Sequence, residues 1–479
     1  MIRGVRCGGF VLVCGLTLTV LAGVAPAARA GAATAEAYYE QRLEQLSAQP
    51  LLPVSKRVDT AIVNVNVIPM TGSQVLRDQV VVIRKGRIAS IEPASGGKVP
   101  DDVRVIEGRN GYLMPGLADM HVHSNGNPWS LALYLANGIT TVREMSGRPE
   151  YLDWARRIAA GQALGPRVYT TGPIFGGRKT DEDRVAVADE QQARTEVEKQ
   201  YAAGYRLLKP YTFLPAAAYR SAMQVAKAKG MYVVGHIPYS VGTAGILDAG
   251  QDEVAHVHSF HPDYFRDFDP GKVFMNYAVD PTFMDRFIPR LRAAGTAVTT
   301  TLIVNQALAD SQNVDDYLAR PEMSYETPGA AAFMRSSGWA FNKMWPHDYL
   351  VSVYLPYLYQ LTDALQQAGV PLVLGTDSGT TGVVHGFGAH EELTLLVRAG
   401  LTPYQALLTA TRNAAVVAHD SDQWGDLVAG KQADLVLLRA NPLEDIRHTR
   451  DIDGVMRAGQ WLDRAELDTL LALTRKAYQ

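Results

Sequence analysis

Cysteine is nearly absent. The 479 residues hold two, Cys7 and Cys14, both close to the N-terminus. A chain that loses that segment keeps no thiol, which excludes disulfides, thiolate nucleophiles and thiolate metal sites together. Any bound metal must then be held by His, Asp, Glu or an oxygen built onto Lys. A surplus of one charge is missing too: 46 Lys and Arg against 49 Asp and Glu leave a formal charge of -3. No long Lys/Arg run occurs, so a nucleic-acid footprint is unsupported. No internal repeat or low-complexity tract stands out. What is present is ordinary globular composition, 47% hydrophobic and 20% charged. That suffices for one large domain plus a smaller one, or a single elaborated barrel.

The first residues read as a leader. Arg3 and Arg6 precede an apolar stretch at 10–24, and Ala28-Arg29-Ala30 has the small-residue pattern of a cleavage site. The expectation is a signal peptide over 1–30 and an exported protein, periplasmic or extracellular, with no membrane attachment after cleavage. An uncleaved anchor is the alternative. Lipid attachment at Cys14 fits poorly, because Val13 is bulky and the position early.

Residues 31–57 read as a helical or mobile lead-in. From Thr60 the texture is β. Residues 62–67 alternate in part at period two, and 80–84 and 87–91 flank Lys85-Gly86, a hairpin signal. A further strand is expected at 103–106. From Leu113 apolar runs alternate with helical stretches. Strands are expected at 113–123, 139–143, 167–171, 206–209, 232–236, 253–256, 297–302 and 371–377, with helices such as 152–160 and 216–229 between them. That order predicts an α/β fold, a (β/α)8 TIM-like barrel over 113–424. Thr402-Pro403 marks the start of a helix running to about Val417. Strands return at 433–438, 454–456 and 460–461. Residues 58–112 and 425–479 would build one small β-sandwich from both ends of the chain.

The stretch MPGLADMHVH ends an apolar run with two histidines. Residues i and i+2 of a strand share a face, so His121 and His123 would both point into the barrel mouth, where active sites of this architecture lie. Asp119 shares their parity one step deeper. Lys209 ends the fourth expected strand in LLKPY, His236 the fifth in VVGH, His256 the sixth in EVAH and Asp377 the eighth in LVLGTD. One such residue alone would be structural, or in the case of Asp377 a helix cap. N and O donors at so many strand ends suit Zn²⁺ or a similar divalent ion. His258 and His261 follow His256 closely and compete with it as ligands.

These stretches, with GITTVREMSG, AGQDEVAHV, GLTPYQALLTATRNAA and GKQADLVLLRANPLEDI, resemble the metal-dependent amidohydrolase superfamily, in particular its imidazolonepropionase-like and prolidase-like branch. The resemblance covers nearly all of the chain after the leader. It implies two Zn²⁺ per chain, one on His121, His123 and Asp377 and one on His236 and His256. GQDEVAH fits the family pattern and favours His256 over its neighbours. The resemblance further implies that Lys209 is N6-carboxylysine and bridges the metals; without the modification a one-metal site remains. By the same resemblance a metal-activated hydroxide attacks a carbonyl, and Asp377 takes the proton and delivers it to the leaving amine. Histidines whose second ring nitrogen is fixed by a carboxylate or carbonyl would keep the right tautomer.

Substrate contacts are less determined. Tyr211 either faces the same mouth or packs as an aromatic after a strand. Arg143 either clamps a substrate carboxylate or neutralises Glu144. His385, in the Gly-rich GTTGVVHGFGAH, is a candidate contact to the scissile group, whereas His390-Glu391-Glu392 begins the last barrel helix. Residues 303–369 are long for one connection and rich in aromatics, including Trp339, Phe341, Trp345, Tyr354 and Tyr357. They read as core packing or as a lid over an apolar pocket. The expected activity is metal-dependent hydrolysis of a C–N amide bond in a dipeptide or N-acyl amino acid. Hydrolysis of a cyclic amide, imidazolone-like ring or lactone is the enzymatic alternative, and a ligand-binding protein on the same scaffold the other. The partner is a small-molecule or dipeptide substrate; homo-oligomerisation is left open.

Overall fold

The computed structural model describes Leu52 and residues 57–177, 183–269, 276–336, 346–380 and 382–478. The leader, nearly all of the lead-in, and Trp339, Phe341 and Trp345 lie outside the described residues. Among those described, no helix is long and apolar enough to cross a membrane.

Both ends of the chain meet in one eight-stranded sheet. Its order is Gln460–Asp463, Ile452–Arg457, Leu435–Leu438, Tyr112–Pro115, Thr60–Val67, Leu76–Arg84 and Arg87–Pro93, with Arg104–Glu107 beside Thr60–Val67. The segments from the two ends of the chain are therefore joined in one continuous sheet. The reason lies in Thr60–Val67, which is bulged around Asn64 (φ 52°) and exchanges partners along its length. Residues 60–63 run parallel to Arg104–Glu107 and 66–67 parallel to Tyr112–Pro115. Tyr112–Pro115 then pairs with Leu435–Leu438, so the two segments join edge to edge. Ile62, Val65, Leu113, Leu435, Met456 and Trp461 fill one buried cluster over it. The Lys85-Gly86 hairpin forms as expected. Both residues have positive φ (51° and 76°), the two-residue turn whose twist matches the flanking strands. Its tip packs on the Ala458-Gly459 turn, where a Cβ on Gly86 would lie 2.6 Å from the Ala458 carbonyl oxygen.

The expected run at 113–123 is two strands. Pro115-Gly116 breaks it, leaving Tyr112–Pro115 in the first sheet while Leu117–Val122 enters a second. There Leu117–Val122, Ile139–Glu144 and Arg167–Thr170 form a three-stranded parallel sheet. Leu207–Leu208, Tyr232–Gly235, Glu253–Val254, Ala297–Thr299 and Leu372–Val373 form a five-stranded parallel sheet. Single bridges join the two at both edges, Thr171 to Leu207 and Val122 to Ser378. Helices pack between strands, among them Pro149–Ala159 and Ala216–Ala228.

Thr402 caps its helix with a reciprocal Gln405 bond, but the helix does not run unbroken to Val417. It divides into Pro403–Thr409 and Arg412–Val417. The break frees backbone acceptors: the Thr409 carbonyl accepts from Leu374 N–H (3.0 Å) and the Ala410 carbonyl from Ala118 N–H (2.7 Å). Strand groups at that seam are satisfied by this loop. Tyr354 and Tyr357 are buried, and the Tyr354 hydroxyl lies 3.0 Å from that of Tyr264, so these two aromatics pack in the core.

Candidate metal centre

His121 lies in Leu117–Val122 and His123 just beyond it. Lys209 follows Leu207–Leu208, His236 follows Tyr232–Gly235, and His256 comes shortly after Glu253–Val254. Asp377 follows Leu372–Val373 by a short loop. These C-terminal strand ends bring the six side chains together. Asp377 Oδ1 is 2.9 Å from His123 Nε2 and 3.4 Å from His121 Nε2. Lys209 Nζ is 3.2 Å from His121 Nε2. The His121 and His256 rings are 4.2 Å apart, and those of His236 and His256 5.0 Å. Donor atoms of His121, His256 and Asp377 all lie within 4.8 Å of one another. His258 stacks on His256 at 4.8 Å and turns its Nδ1 to Asn305, so His256 is the one of the three in the cluster.

Two of these residues carry unusual backbone. His256 (φ 72°) and Asp377 (φ 58°) are non-glycine residues in the left-handed region. Such conformations cost on the order of 1–3 kcal/mol and persist where the surroundings over-determine them.

Burial sets the charge states. It pulls His121, His236 and His256 well below the usual imidazole range, and His123 below it, so their lone pairs are open at neutral pH. Burial also brings the Lys209 amine down to about 7, against the opposing pull of Asp377. Burial works against ionising Asp377, but its hydrogen bond from His123 and the positive charges around it hold the carboxyl well below the usual range. Nδ1 of His121 and of His256 has no hydrogen-bond partner among the described residues. Neutral imidazoles, an ionised carboxylate and a depressed amine, buried except for a partial opening at His236 and Asp377 and with donor atoms close together, fit a divalent cation.

The Lys209 shift has a consequence for the metal-free chain. Between the folded pKa near 7 and the unfolded value of 10.5 the unfolded chain binds more protons, so stability rises with pH. We expect a gain on the order of 1 kcal/mol per pH unit between pH 7.5 and 9, read from urea melts, and no such slope in Lys209→Met.

The surroundings correct several expectations. His123 Nδ1 meets the Ser146 hydroxyl (2.7 Å) and His236 Nδ1 the Thr212 hydroxyl (2.8 Å), where carboxylates or carbonyls were expected. Asp119 does not hold a histidine ring. It accepts the Thr376 hydroxyl (2.6 Å) and N–H (3.0 Å), fixing the residue before Asp377, and burial pushes it up to about 7. Arg143 neither clamps a substrate nor pairs with Glu144. It is 1% exposed and forks onto Glu253 at 2.9 and 2.6 Å, while its Nε donates to the Met120 carbonyl. Glu144 instead accepts the Ser124 N–H. His385 Nε2 donates to the His123 carbonyl at 3.1 Å, which ties its ring to the backbone of the cluster. Tyr211 lies with its ring 4.3 Å from that of His236. His390 and Glu392 sit in Phe387–Arg398, where Glu392 accepts the N–H groups of Leu302 and Ile303 at the start of another helix.

Sequence reasoning missed Glu253, the hub of a buried network that also takes the Tyr232 hydroxyl (3.1 Å) and that of Thr299. It also missed Arg184, whose guanidinium lies 5.1 Å from the Tyr211 ring centre on the short strand Arg184–Ala186. Gly375 is a third such position. A Cβ there would meet Thr299 Cγ2 at 2.4 Å and His121 Cβ at 2.7 Å. We expect Gly375→Ala to cost about 1–3 kcal/mol in a denaturant melt and to lower bound metal, because His121 must move.

A mixed α/β fold with a metal-competent cluster at the ends of parallel strands is the class these observations define. The model described as the amidohydrolase family matches residues 112–462. The chain belongs to that family, hydrolases acting on carbon–nitrogen bonds that generally use divalent metals. Imidazolonepropionase of Stenotrophomonas maltophilia is 26% identical over 406 residues, spanning 79% of this chain and 91% of that one. Ochratoxinase of Aspergillus niger is 39% identical over only 82 residues, 17% of this chain and 16% of the ochratoxinase. A crystal structure of a putative prolidase from Bifidobacterium longum superposes with a TM-score of 0.66 at 23% identity, covering 89% of this chain and all of that one.

Proposed function

We propose that the chain is an exported, metal-dependent hydrolase of amide bonds in dipeptides or N-acyl amino acids. The observation that carries this reading is the convergence of His121, His123, Lys209, His236, His256 and Asp377 at strand ends in a chain of the amidohydrolase family. The two parallel sheets act as one (β/α)8 barrel, and the single bridges at both seams support that closure. Export rests on the leader alone.

In this reading His121, His123 and Asp377 would hold one Zn²⁺, and His236 and His256 a second. Lys209, as N6-carboxylysine, would add oxygen donors to the same site. Its lowered pKa supports this, because only the neutral amine adds to CO₂, and the product exchanges a cation for an anion with two oxygens. Bound there, divalent ions supply Lewis acidity and lower the pKa of water. The residues do the rest. Asp377, ionised and partly accessible, takes the water proton and returns it to the leaving nitrogen. Ser146 and Thr212 orient His123 and His236 through their second ring nitrogens. Tyr211, beside His236, contacts the substrate.

Ring opening of a cyclic amide is the second reading, favoured by the match to imidazolonepropionase over most of both chains. Both readings use the same donors, so substrates separate them. The metal-loaded protein is assayed against dipeptides, N-acyl amino acids, cyclic amides and lactones. Turnover of the first two is expected. Activity confined to cyclic amides or lactones would sink the preferred reading, and bound metal with no turnover at all would leave a binding protein.

A further inference from the structure

A second cluster of charge lies at the other end of the parallel strands. Arg167 opens the strand Arg167–Thr170, whereas the metal-centre residues follow strand C-termini. Around Arg167 is a cleft of about 420 Å³ lined by Arg57, Lys85, Arg87, Arg167 and Arg457, with Tyr169 at its wall. Separate parts of the chain build it: the tips of two hairpins, the start of a parallel strand, and the helix Pro149–Ala159.

Carboxylates are too few to balance it. Asp434 pairs with Arg457 (2.9 Å) and Arg167 (3.3 Å), and Asp420 with Arg167 (3.2 Å). Among the described residues Arg87 finds only neutral acceptors, the Gly430 carbonyl and Gln423. The Arg57 side chain and the Lys85 ammonium have no ion pair among the described residues. Asp59 accepts only the Lys85 backbone N–H there, and its carboxylate otherwise serves Arg84. Five cations thus face two carboxylates. Arg457 is 7% exposed, and its Nε, like that of Arg167, is buried without a partner among the described residues. Burial depresses the Arg457 guanidinium, and the charges of Arg167 and Arg57 press in the same direction against Asp434. Guanidiniums crowded around a cleft with too few carboxylates are what an oxyanion satisfies, since each planar fork can grip two oxygens.

We propose that this cleft is an anion site, separate from the metal centre, for a small molecule carrying a phosphate ester or two carboxylates. Bound there, such an anion ties the eight-stranded sheet to the parallel strands and neutralises the excess charge.

The test is isothermal titration of the full metal-loaded chain, free metal removed, with inorganic phosphate and with succinate at constant ionic strength. Wild type is compared with Arg57→Ala/Lys85→Ala, two exposed positions outside any ion pair. Saturable uptake of one anion per chain is expected, weakened about tenfold or more in the double variant. Anion-free melting temperature and turnover should match wild type. Tighter phosphate points to a phosphate ester and tighter succinate to a dicarboxylate. Failure of both probes to saturate overturns the proposal. So does wild-type affinity in the double variant, which would put the anion at the metal centre.

Discussion

Asp377→Asn lowers kcat by about 10³-fold, within the 10²–10⁴ range of a lost general acid–base. The substitution keeps the shape of the side chain and removes its charge and its capacity to take a proton. In the structure Oδ1 lies against both His121 and His123, so the amide oxygen retains part of the metal affinity. KM should change far less than kcat, because proton transfer matters in the transition state and not in binding. Steady-state kinetics with metal content measured on the same preparation separates the two effects. Turnover equal to wild type at equal metal content would remove Asp377 from the proton path.

The largest effect on stability is expected at Glu253. With Arg143 it forms an ion pair in which both side chains are within 1% of full burial, and it also accepts two hydroxyls. Removing one partner of a buried pair leaves an unpaired charge and costs about 3–5 kcal/mol, whereas replacing both with apolar groups is close to neutral. Glu253→Ala should therefore lose that much in a urea melt. Arg143→Met/Glu253→Leu should recover most of it. Metal content should fall in Glu253→Ala, because the same guanidinium donates from Nε to the Met120 carbonyl, next to His121 (2.7 Å). A loss below about 1 kcal/mol would mean that water reaches the pair and screens it.

What the sequence discloses follows from how local each signal is. His121 and His123 were legible because strand alternation is a rule about neighbours, and Lys209, His236 and Asp377 because each closes a short apolar run. Lys85-Gly86 declared its turn by chemistry alone. His256 could be located but not oriented, since its positive φ is imposed by packing and leaves no trace in the residue type. The partner of Arg143 could not be read. Glu253 is 110 residues away, and no periodicity links positions on different strands, so the adjacent Glu144 was the natural choice. The pairing of the two end segments was hidden for a similar reason, because a bulge at Asn64 decides which edge Thr60–Val67 offers. The break at Ala410–Thr411 answers backbone donors of Ala118 and Leu374 far along the chain, which helix propensity does not record. Pro115-Gly116 is the exception: it was visible, and the apolar run that spans it obscured the break.

The most direct measurement is divalent metal per chain on the purified protein, by elemental mass spectrometry without added metal. About two ions per chain are predicted, falling in Lys209→Met, which removes the proposed carboxylysine. No bound metal, and none taken up on adding zinc, would contradict the assignment of His121, His123, Lys209, His236, His256 and Asp377 as a metal centre.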